Sequence, residues 1–380
     1  MLRLLHTADV HLGARHEGLG DAASALRERQ HAALRAAVDL ALTEHVDAVL
    51  VAGDLFDTNM ASRRTVERAV AELGRLAAAR IRIVLVPGCH DADTRSSVYG
   101  AYDLPALVGG EMLTVLTVAR PWVHLDTLDA VVIGPTDPNR LSSSPFASLD
   151  GSGVPATTWR IGLLHAAVGT GVGDVSEAAL QASGLDFAAL GHDHHAATGH
   201  AGATTWAVPG SPEQVAVDRE QAGTVTLVTL DEQTGTKTVT VETRVVGSAR
   251  HRELEVGTAS LASQSALVEQ LRAAADPEVV LDVHVVGERP DELELDPFAI
   301  TEALRGAYLR VRVDDRSRPP LTGGALPPPE TIAGAFIRNV EGRIAELEAS
   351  GGIAAADEAA ELREVLRLGR GLLTGTEVAS

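Results

Sequence analysis

Leu2-Arg3-Leu4-Leu5-His6-Thr7-Ala8-Asp9-Val10-His11-Leu12-Gly13 is an apolar run that stops on an acid and an imidazole. A short apolar run closed by turn residues reads as a buried strand, here residues 2–6. The same phrase recurs twice. Asp47–Val51 reads as a second strand and leads into Gly53-Asp54-Leu55-Phe56-Asp57, and Ile81–Val86 reads as a third and leads, past Pro87, into Gly88-Cys89-His90-Asp91. Two amphipathic stretches separate them. Residues 24–45 bring Leu26, Leu34, Val38 and Leu42 near helical spacing, and residues 62–80 put Val66, Val70, Leu73 and Leu76 on one face. Strand, helix, strand, helix, strand predicts a sheet with helices on its faces. Ligands of such sheets bind outside the carboxyl ends of the strands, where these acids and imidazoles fall.

Further strand-like runs follow at 130–134, 160–165, 186–190, 204–208, 223–230 and 236–246. The later ones lack long helices between them, which predicts a second sheet packed on the first. The run at 160–165 ends on His165, and that at 186–190 ends on Gly191-His192-Asp193-His194. Around Gly247 the character changes, and residues 252–313 read as a small separate α/β domain: strand, helix 260–275, strand 278–286, short helix 297–304, strand 307–313. Arg318-Pro319-Pro320 and Leu326-Pro327-Pro328-Pro329 read as a stiff linker,. Beyond it, a helix over 330–348 carries Ile332, Phe336, Val340, Ile344 and Leu347 on one stripe, and a second helix over 354–370 follows the Gly351-Gly352 break. These two helices need an apolar partner, either the rest of this chain or another subunit. The expected domains are thus 1–247, 248–318 and 319–380.

The 45% hydrophobic content can fill a core, and with aromatics at only 3% Ala, Val and Leu must do most of the packing. No apolar run is long enough for a membrane span. No signal-peptide pattern opens the chain, and Cys89 is the one cysteine, so no intrachain disulfide can form,. Together these predict a cytoplasmic protein. The formal charge of −20 does not favour a polyanion, although two divalent cations would reverse the sign locally. Arg15, Arg27, Arg29, Arg63 and Arg64 fall near the expected mouth, either as a basic rim or as solvated helix faces.

Asp9 and His11, and His192 and His194, are i, i+2 pairs, which point to one side of an extended backbone,. Each pair can grip one ion, and Asp54 has two oxygens with which to bridge two. Asp and His suit Mn²⁺, Fe²⁺ or Zn²⁺. Two ions about 3.5–4 Å apart can activate water and stabilise the oxygens of an in-line displacement at phosphorus. A lone Asp-x-His or His-x-His says little, but the full ordered set after successive strands is specific.

That set is similar to the calcineurin-like metallophosphoesterase superfamily, whose third motif is usually Gly-Asn-His. Within it, the stretch His6–Gly13, Gly53–Asp57 and Pro209-Gly210-Ser211-Pro212-Glu213 resemble the bacterial SbcD and YhaO group of DNA-repair nucleases. The likeness runs motif by motif to about residue 230; beyond it only the layout matches. It implies a two-sheet α/β sandwich with a smaller α/β capping domain, and C-terminal helices that engage an SMC-like (SbcC-type) ATPase. It implies Asp9, His11, Asp54 and His194 on a first metal, and Asp54, Cys89, His165 and His192 on a second. His90 would face the scissile phosphate and assist the leaving oxygen. Asp91 would orient His90 or cap its loop, while His6 and His195 would be neighbours rather than ligands. The family expects manganese, with a homodimer compatible and no membrane.

Position 89 departs from the pattern. Cys89 replaces an Asn whose amide oxygen is a hard ligand. A thiolate favours Zn²⁺ or Fe²⁺. The cysteine therefore ligates a softer ion, stands by in a weaker site, or marks lost catalysis. The leading expectation is a metal-dependent DNA nuclease, an exonuclease with or without endonuclease activity, in complex with the ATPase. The alternatives are a small-molecule or nucleotide phosphodiesterase or phosphatase, and a catalytically impaired DNA-end or ATPase-binding subunit.

Overall fold

A computed structural model of the chain describes residues 1–16, 22–135, 145–146, 153–171, 173–213, 223–248, 250–290, 293–318, 327–328 and 330–374. The chain divides into two compact units, Met1–Arg250 and His251–Ser380. In chain order the first contains β1 (Leu2–Thr7), α1 (Ala22–Thr43), β2 (Ala48–Ala52), α2 (Arg63–Ala78), β3 (Arg82–Val86), α3 (Val98–Ala101), α4 (Leu104–Val108), β4 (Leu113–Val115), β5 (Trp122–Leu125), β6 (Ala130–Ile133), β7 (Trp159–Leu164), α5 (Glu177–Ala182), β8 (Phe187–Leu190), β9 (Ala196–Ala201), β10 (Thr204–Pro209), β11 (Thr224–Gln233) and β12 (Thr236–Val245).

These strands form two six-stranded sheets, ordered β12-β11-β1-β2-β3-β4 and β5-β6-β7-β8-β10-β9. β1 to β4 run parallel, with β11 antiparallel to β1. In the second sheet β6, β7, β8 and β10 run parallel, flanked by antiparallel β5 and β9. The first three strands read as continuous apolar runs because a parallel sheet is covered on both faces. Period-two alternation divides their side chains between two cores. Leu4, Leu50 and Val84 face Ile161, Leu163 and Phe187 of the second sheet. Leu5, Val49, Val51, Ile83 and Leu85 face Leu34, Val38, Val66, Leu73 and Leu76 of α1 and α2. Leu180 of α5, with Phe146 and Val175, covers the outer face of the second sheet against Leu164, Ala188 and Leu190. The result is an α/β sandwich of two sheets.

β4, β5 and β9 have no counterpart among the sequence-predicted strands. β4 and β5 are only three and four residues long. β9 reads Ala-Ala-Thr-Gly-His-Ala on a sheet edge, largely exposed, so it carries no hydrophobic period,.

The second unit opens with β13 (Arg250–Gly257), α6 (Gln264–Ala273), β14 (Val279–Val286), α7 (Pro297–Ala303) and β15 (Arg310–Asp315). β14 is central in the three-stranded sheet and parallel to β15. Leu267, Leu271, Leu281, Val283, Val285 and Ile300 fill its core. α8 (Ile332–Ser350) and α9 (Ile353–Thr374) follow. Thr331 caps α8 by accepting from Gly334 N. Ile337, Ile344 and Leu347 pack with Ala359 and Leu366, alongside Phe336 and Val340, so the two helices cover each other's stripes. Ile332, expected on that stripe, is instead 83% exposed, because it is the first residue of α8. Most of the expected Pro-rich linker lies outside the described residues. No helix among them is long and apolar enough to cross a membrane.

Candidate metal centre

Both sheets aim parallel strand ends at one place. Asp9 and His11 follow β1, Asp54 follows β2, Cys89 and His90 follow β3, His165 follows β7, and His192 and His194 follow β8. The backbone is forced there. Asp9, His11, Asp54 and His192 have φ of 53°, 50°, 51° and 77°, a left-handed conformation that costs a non-glycine residue about 1–3 kcal/mol. Hydrogen bonds between the loops hold it: Asp9 N to Gly53 O at 3.1 Å, His11 N to Asp54 O at 2.9 Å, and His192 N to Asp9 Oδ2 at 3.0 Å. Two glycines make room. A Cβ at Gly53, where φ is +88°, would lie 2.4 Å from His165 Nδ1, and one at Gly88 would lie 2.1 Å from Asp54 Oδ1. Gly88→Ala is therefore expected to displace the Asp54 carboxylate. Metal analysis should find fewer bound ions per chain while far-UV circular dichroism stays unchanged.

The donor atoms form two adjoining sets. Asp9, His11 and His194 bring ligand atoms within 4.8 Å of one another, and so do Cys89, His165 and His192. Asp54 Oδ2 stands between the sets, 3.8 Å from His11 Nε2, 3.2 Å from His165 Nε2 and 3.4 Å from Cys89 Sγ. The imidazoles are prepared as ligands. His165 Nδ1 donates to Ala52 O at 2.9 Å, and His11 Nδ1 faces Asp57 Oδ1 at 3.2 Å. Each partner fixes the ring and leaves Nε2 as the free donor atom, as in metal-bound histidines. Asp9 Oδ1 and His11 Nε2 are buried without a hydrogen-bond partner, and the buried His165 Nε2 faces the Asp54 carboxylate at 3.2 Å. Buried polar atoms are rarely left without a partner, and two that converge on one spot beside this pair fit divalent cations.

Charge in the metal-free protein follows burial and coupling. Burial pushes the Asp9 carboxyl up to about 7, against the pull of His165 and His11. Burial acts on Asp54 in the same direction, but His165 outweighs it and holds Asp54 below the usual carboxylate range. Burial lowers the basicity of His165, yet Asp54 reverses this and keeps His165 well above an ordinary imidazole. Cations entering the site must displace these protons.

His6 lies just outside the ligand sets, fully buried, with Nδ1 3.2 Å from Thr226 Oγ1. Burial lowers its pKa to about 3. Below pH about 6.5 the unfolded chain takes up a proton that the folded chain refuses, so this contribution to stability is present above pH 6.5 and lost as pH falls towards 3. At pH 5.5 the loss is about 1.4 kcal/mol. Asp9, whose pKa is raised, contributes with the opposite sign. The His6 part is therefore the difference between wild type and His6→Gln. In urea unfolding with chelator, the variant is expected to lose about 1.4 kcal/mol less than wild type between pH 7.5 and 5.5. Parallel curves would show that His6 plays no part.

Two sequence expectations need correcting. His192 and His194 do not grip one ion as a pair: His194 joins Asp9 and His11, and His192 joins Cys89 and His165, because the backbone at His192 is left-handed rather than extended. Asp91 does not reach His90. Its carboxylate is buried and accepts from Gly88 N at 2.7 Å, Phe56 N at 3.1 Å and Tyr99 Oη at 2.6 Å. It caps the loop, because the turn directs neighbouring side chains 90 and 91 apart. The residue that holds His90 is Asp57, whose carbonyl accepts from His90 Nδ1 at 3.0 Å and whose Oδ1 lies 3.9 Å from the same nitrogen. Asp57 thus orients both His11 and His90. Its place at the end of Gly53–Asp57 was the available signal. His195 turns away to Asp193 Oδ1 at 3.2 Å. The Pro209–Glu213 motif braces the centre from behind: Ser211 N donates to His194 O at 3.2 Å. Of the expected basic rim, Arg63 pairs with Glu67 at 2.7 Å on the exposed face of α2.

The model of the calcineurin-like phosphoesterase family matches residues 2–196. The DNA double-strand break repair protein Mre11 of Saccharolobus solfataricus is 30% identical over 126 residues, 32% of this chain and 31% of that protein. A subunit of the nuclease SbcCD of Rhodobacter capsulatus is 40% identical over 98 residues, 25% of this chain and 22% of that protein. The metallophosphoesterase YhaO of Bacillus subtilis is 32% identical over 94 residues, 24% of this chain and 23% of that protein. The aligned segments thus span about a third or less of these relatives.

Proposed function

The chain belongs to the calcineurin-like phosphoesterase family, hydrolases of phosphoester bonds, and from that membership we propose that it is a two-metal DNA nuclease. The observation that carries the two-metal reading is the pair of ligand sets sharing Asp54, with the buried Asp9 Oδ1 and His11 Nε2 left without hydrogen-bond partners. Relatives named as a DNA-break repair protein and as part of a nuclease support DNA as the substrate. In this reading residues 1–247 are the catalytic domain, 248–318 a cap, and 319–380 a docking element for an SMC-like ATPase. The cytoplasm, where thiols stay reduced, is the compartment this assignment fits.

Bound divalent ions supply an activated water and neutralise charge on the phosphoryl oxygens. The protein supplies position and a proton. Asp9, His11 and His194 would hold one ion, His165, His192 and Cys89 the other, with Asp54 within reach of both sets. His90 is half exposed at the rim. Asp57 O can only accept, so Nδ1 keeps its hydrogen and Nε2 faces outward. Carrying a proton on Nε2, His90 would donate it to the departing ester oxygen.

The test is hydrolysis of linear duplex and single-stranded DNA by wild type and Cys89→Asn, with Mn²⁺, Fe²⁺ or Zn²⁺ added separately and metal content measured. Cleavage by wild type is the expected result. Cleavage by Cys89→Asn alone would make the native protein a binding subunit on a nuclease scaffold. Hydrolysis of nucleotides or other small phosphodiesters without DNA cleavage would replace the nuclease reading with the small-molecule one.

A further inference from the structure

The two halves of the centre differ in chemistry. Asp9, His11 and His194, with Asp54, offer only oxygen and imidazole nitrogen, whereas Cys89, His165 and His192, with Asp54, add a sulfur. Resting on the two-metal reading above, we propose that the Cys89 half is a zinc position with Cys89 as its fourth ligand, and that the Asp9 half takes a harder ion such as Mn²⁺.

Geometry supports this first. A tetrahedral zinc with bonds of about 2.0 Å to nitrogen and oxygen and about 2.3 Å to sulfur has donor-to-donor edges of about 3.3–3.6 Å. Here His165 Nε2 to Asp54 Oδ2 is 3.2 Å, Cys89 Sγ to Asp54 Oδ2 is 3.4 Å, and Cys89 Sγ to His192 Nδ1 is 3.9 Å. Three of the edges of such a shell are therefore in place to within a few tenths of an ångström. The second support is independent of the cysteine. The His165 side chain is only 7% exposed. Its Nδ1 is engaged by Ala52 O, which leaves the buried Nε2 turned into the set among the donor atoms of Cys89, His192 and Asp54.

Donor chemistry then selects the ion. One thiolate, two imidazoles and one carboxylate make the mixed sulfur and nitrogen shell that zinc takes in four-coordinate sites. Zn²⁺ also stands far above Mn²⁺ in intrinsic affinity for such donors. On binding, the thiol gives its proton to solvent, its hydrogen bond to Asp54 is lost, and a zinc–sulfur bond forms. Four protein donors fill the shell, so this ion stays during dialysis that removes the other.

The experiment strips the full-length protein with chelator and loads it with equal Mn²⁺ and Zn²⁺. It is then dialysed against metal-free buffer and its metals are counted. One zinc per chain is expected in wild type, and zinc affinity at least about 100-fold weaker in Cys89→Ser and Cys89→Asn, since even residues behind a ligand cost 10–100-fold. Replacing zinc with Co²⁺ gives a second readout: wild type should show sulfur-to-cobalt charge-transfer absorption and Cys89→Ser should not. Circular dichroism and thermal unfolding of the metal-free variants verify that they fold. Equal zinc affinity in wild type and both variants, or a cobalt protein without the sulfur band, overturns the proposal. Neither readout involves DNA. A protein with the sulfur band that fails to cleave DNA would overturn the nuclease reading alone.

Discussion

Asp54→Ala is expected to reduce phosphodiester hydrolysis at least about a thousand-fold, the equivalent of roughly 4 kcal/mol. The Asp54 carboxylate lies against donor atoms of both ligand sets. Oδ2 lies within 4 Å of His11, His165 and Cys89. Oδ1 accepts from His90 N at 2.8 Å, so it also holds the turn that carries positions 89 and 90. Removing the carboxylate takes a ligand from each ion, releases the turn, and leaves His165 without the partner that keeps its basicity high. Metal content should fall together with activity. Asp54→Asn is the informative companion, because it keeps the shape and loses the charge. Activity near wild type in Asp54→Ala, with two ions still bound, would remove the bridging role.

His90→Ala is expected to lower hydrolysis by about 10²–10⁴-fold, the usual contribution of a positioned acid or base, while leaving metal content unchanged. The dissociation of the two readouts is the point of the experiment. The contact from residue 90 to Asp54 is made by its backbone N–H, which survives the substitution. What disappears is the outward ring, held through Nδ1 by Asp57 O. Asp57→Asn is expected to give a milder loss through His90, since the carbonyl remains, together with weaker binding of the ion held by His11,. A His90→Ala protein that turns over at the wild-type rate with its metals bound would mean that the leaving oxygen needs no help from this side chain.

The difference between these residues bears on what can be read from a sequence. Asp9, His11, Asp54, His165, His192 and His194 were legible because each ends a strand-like run, and parallel strands deliver their carboxyl ends to one edge. Position 89 was legible as an anomaly, since a thiol stood where an oxygen donor was expected. Asp57 and Asp91 were not assignable in the same way. Both are acids in loops two or three residues from a ligand, and only the path of the backbone decides which carboxylate faces His11 and which turns back to Gly88, Phe56 and Tyr99. The short strands β4 and β5 and the edge strand β9 escaped because they bury too few side chains to print a period.

The sequence by itself determined the alternation of strand and helix, the helix-covered sheet and the set of side chains able to hold metal. Those are consequences of hydrophobic period and residue chemistry, which act locally along the chain. The tertiary structure alone decided which donors share an ion, which ring nitrogen is left bare, and that Cys89 comes within 3.4 Å of the Asp54 carboxylate 35 positions away. Those are distances between segments remote in sequence, fixed by the packing of two sheets and by backbone turns that no local pattern encodes.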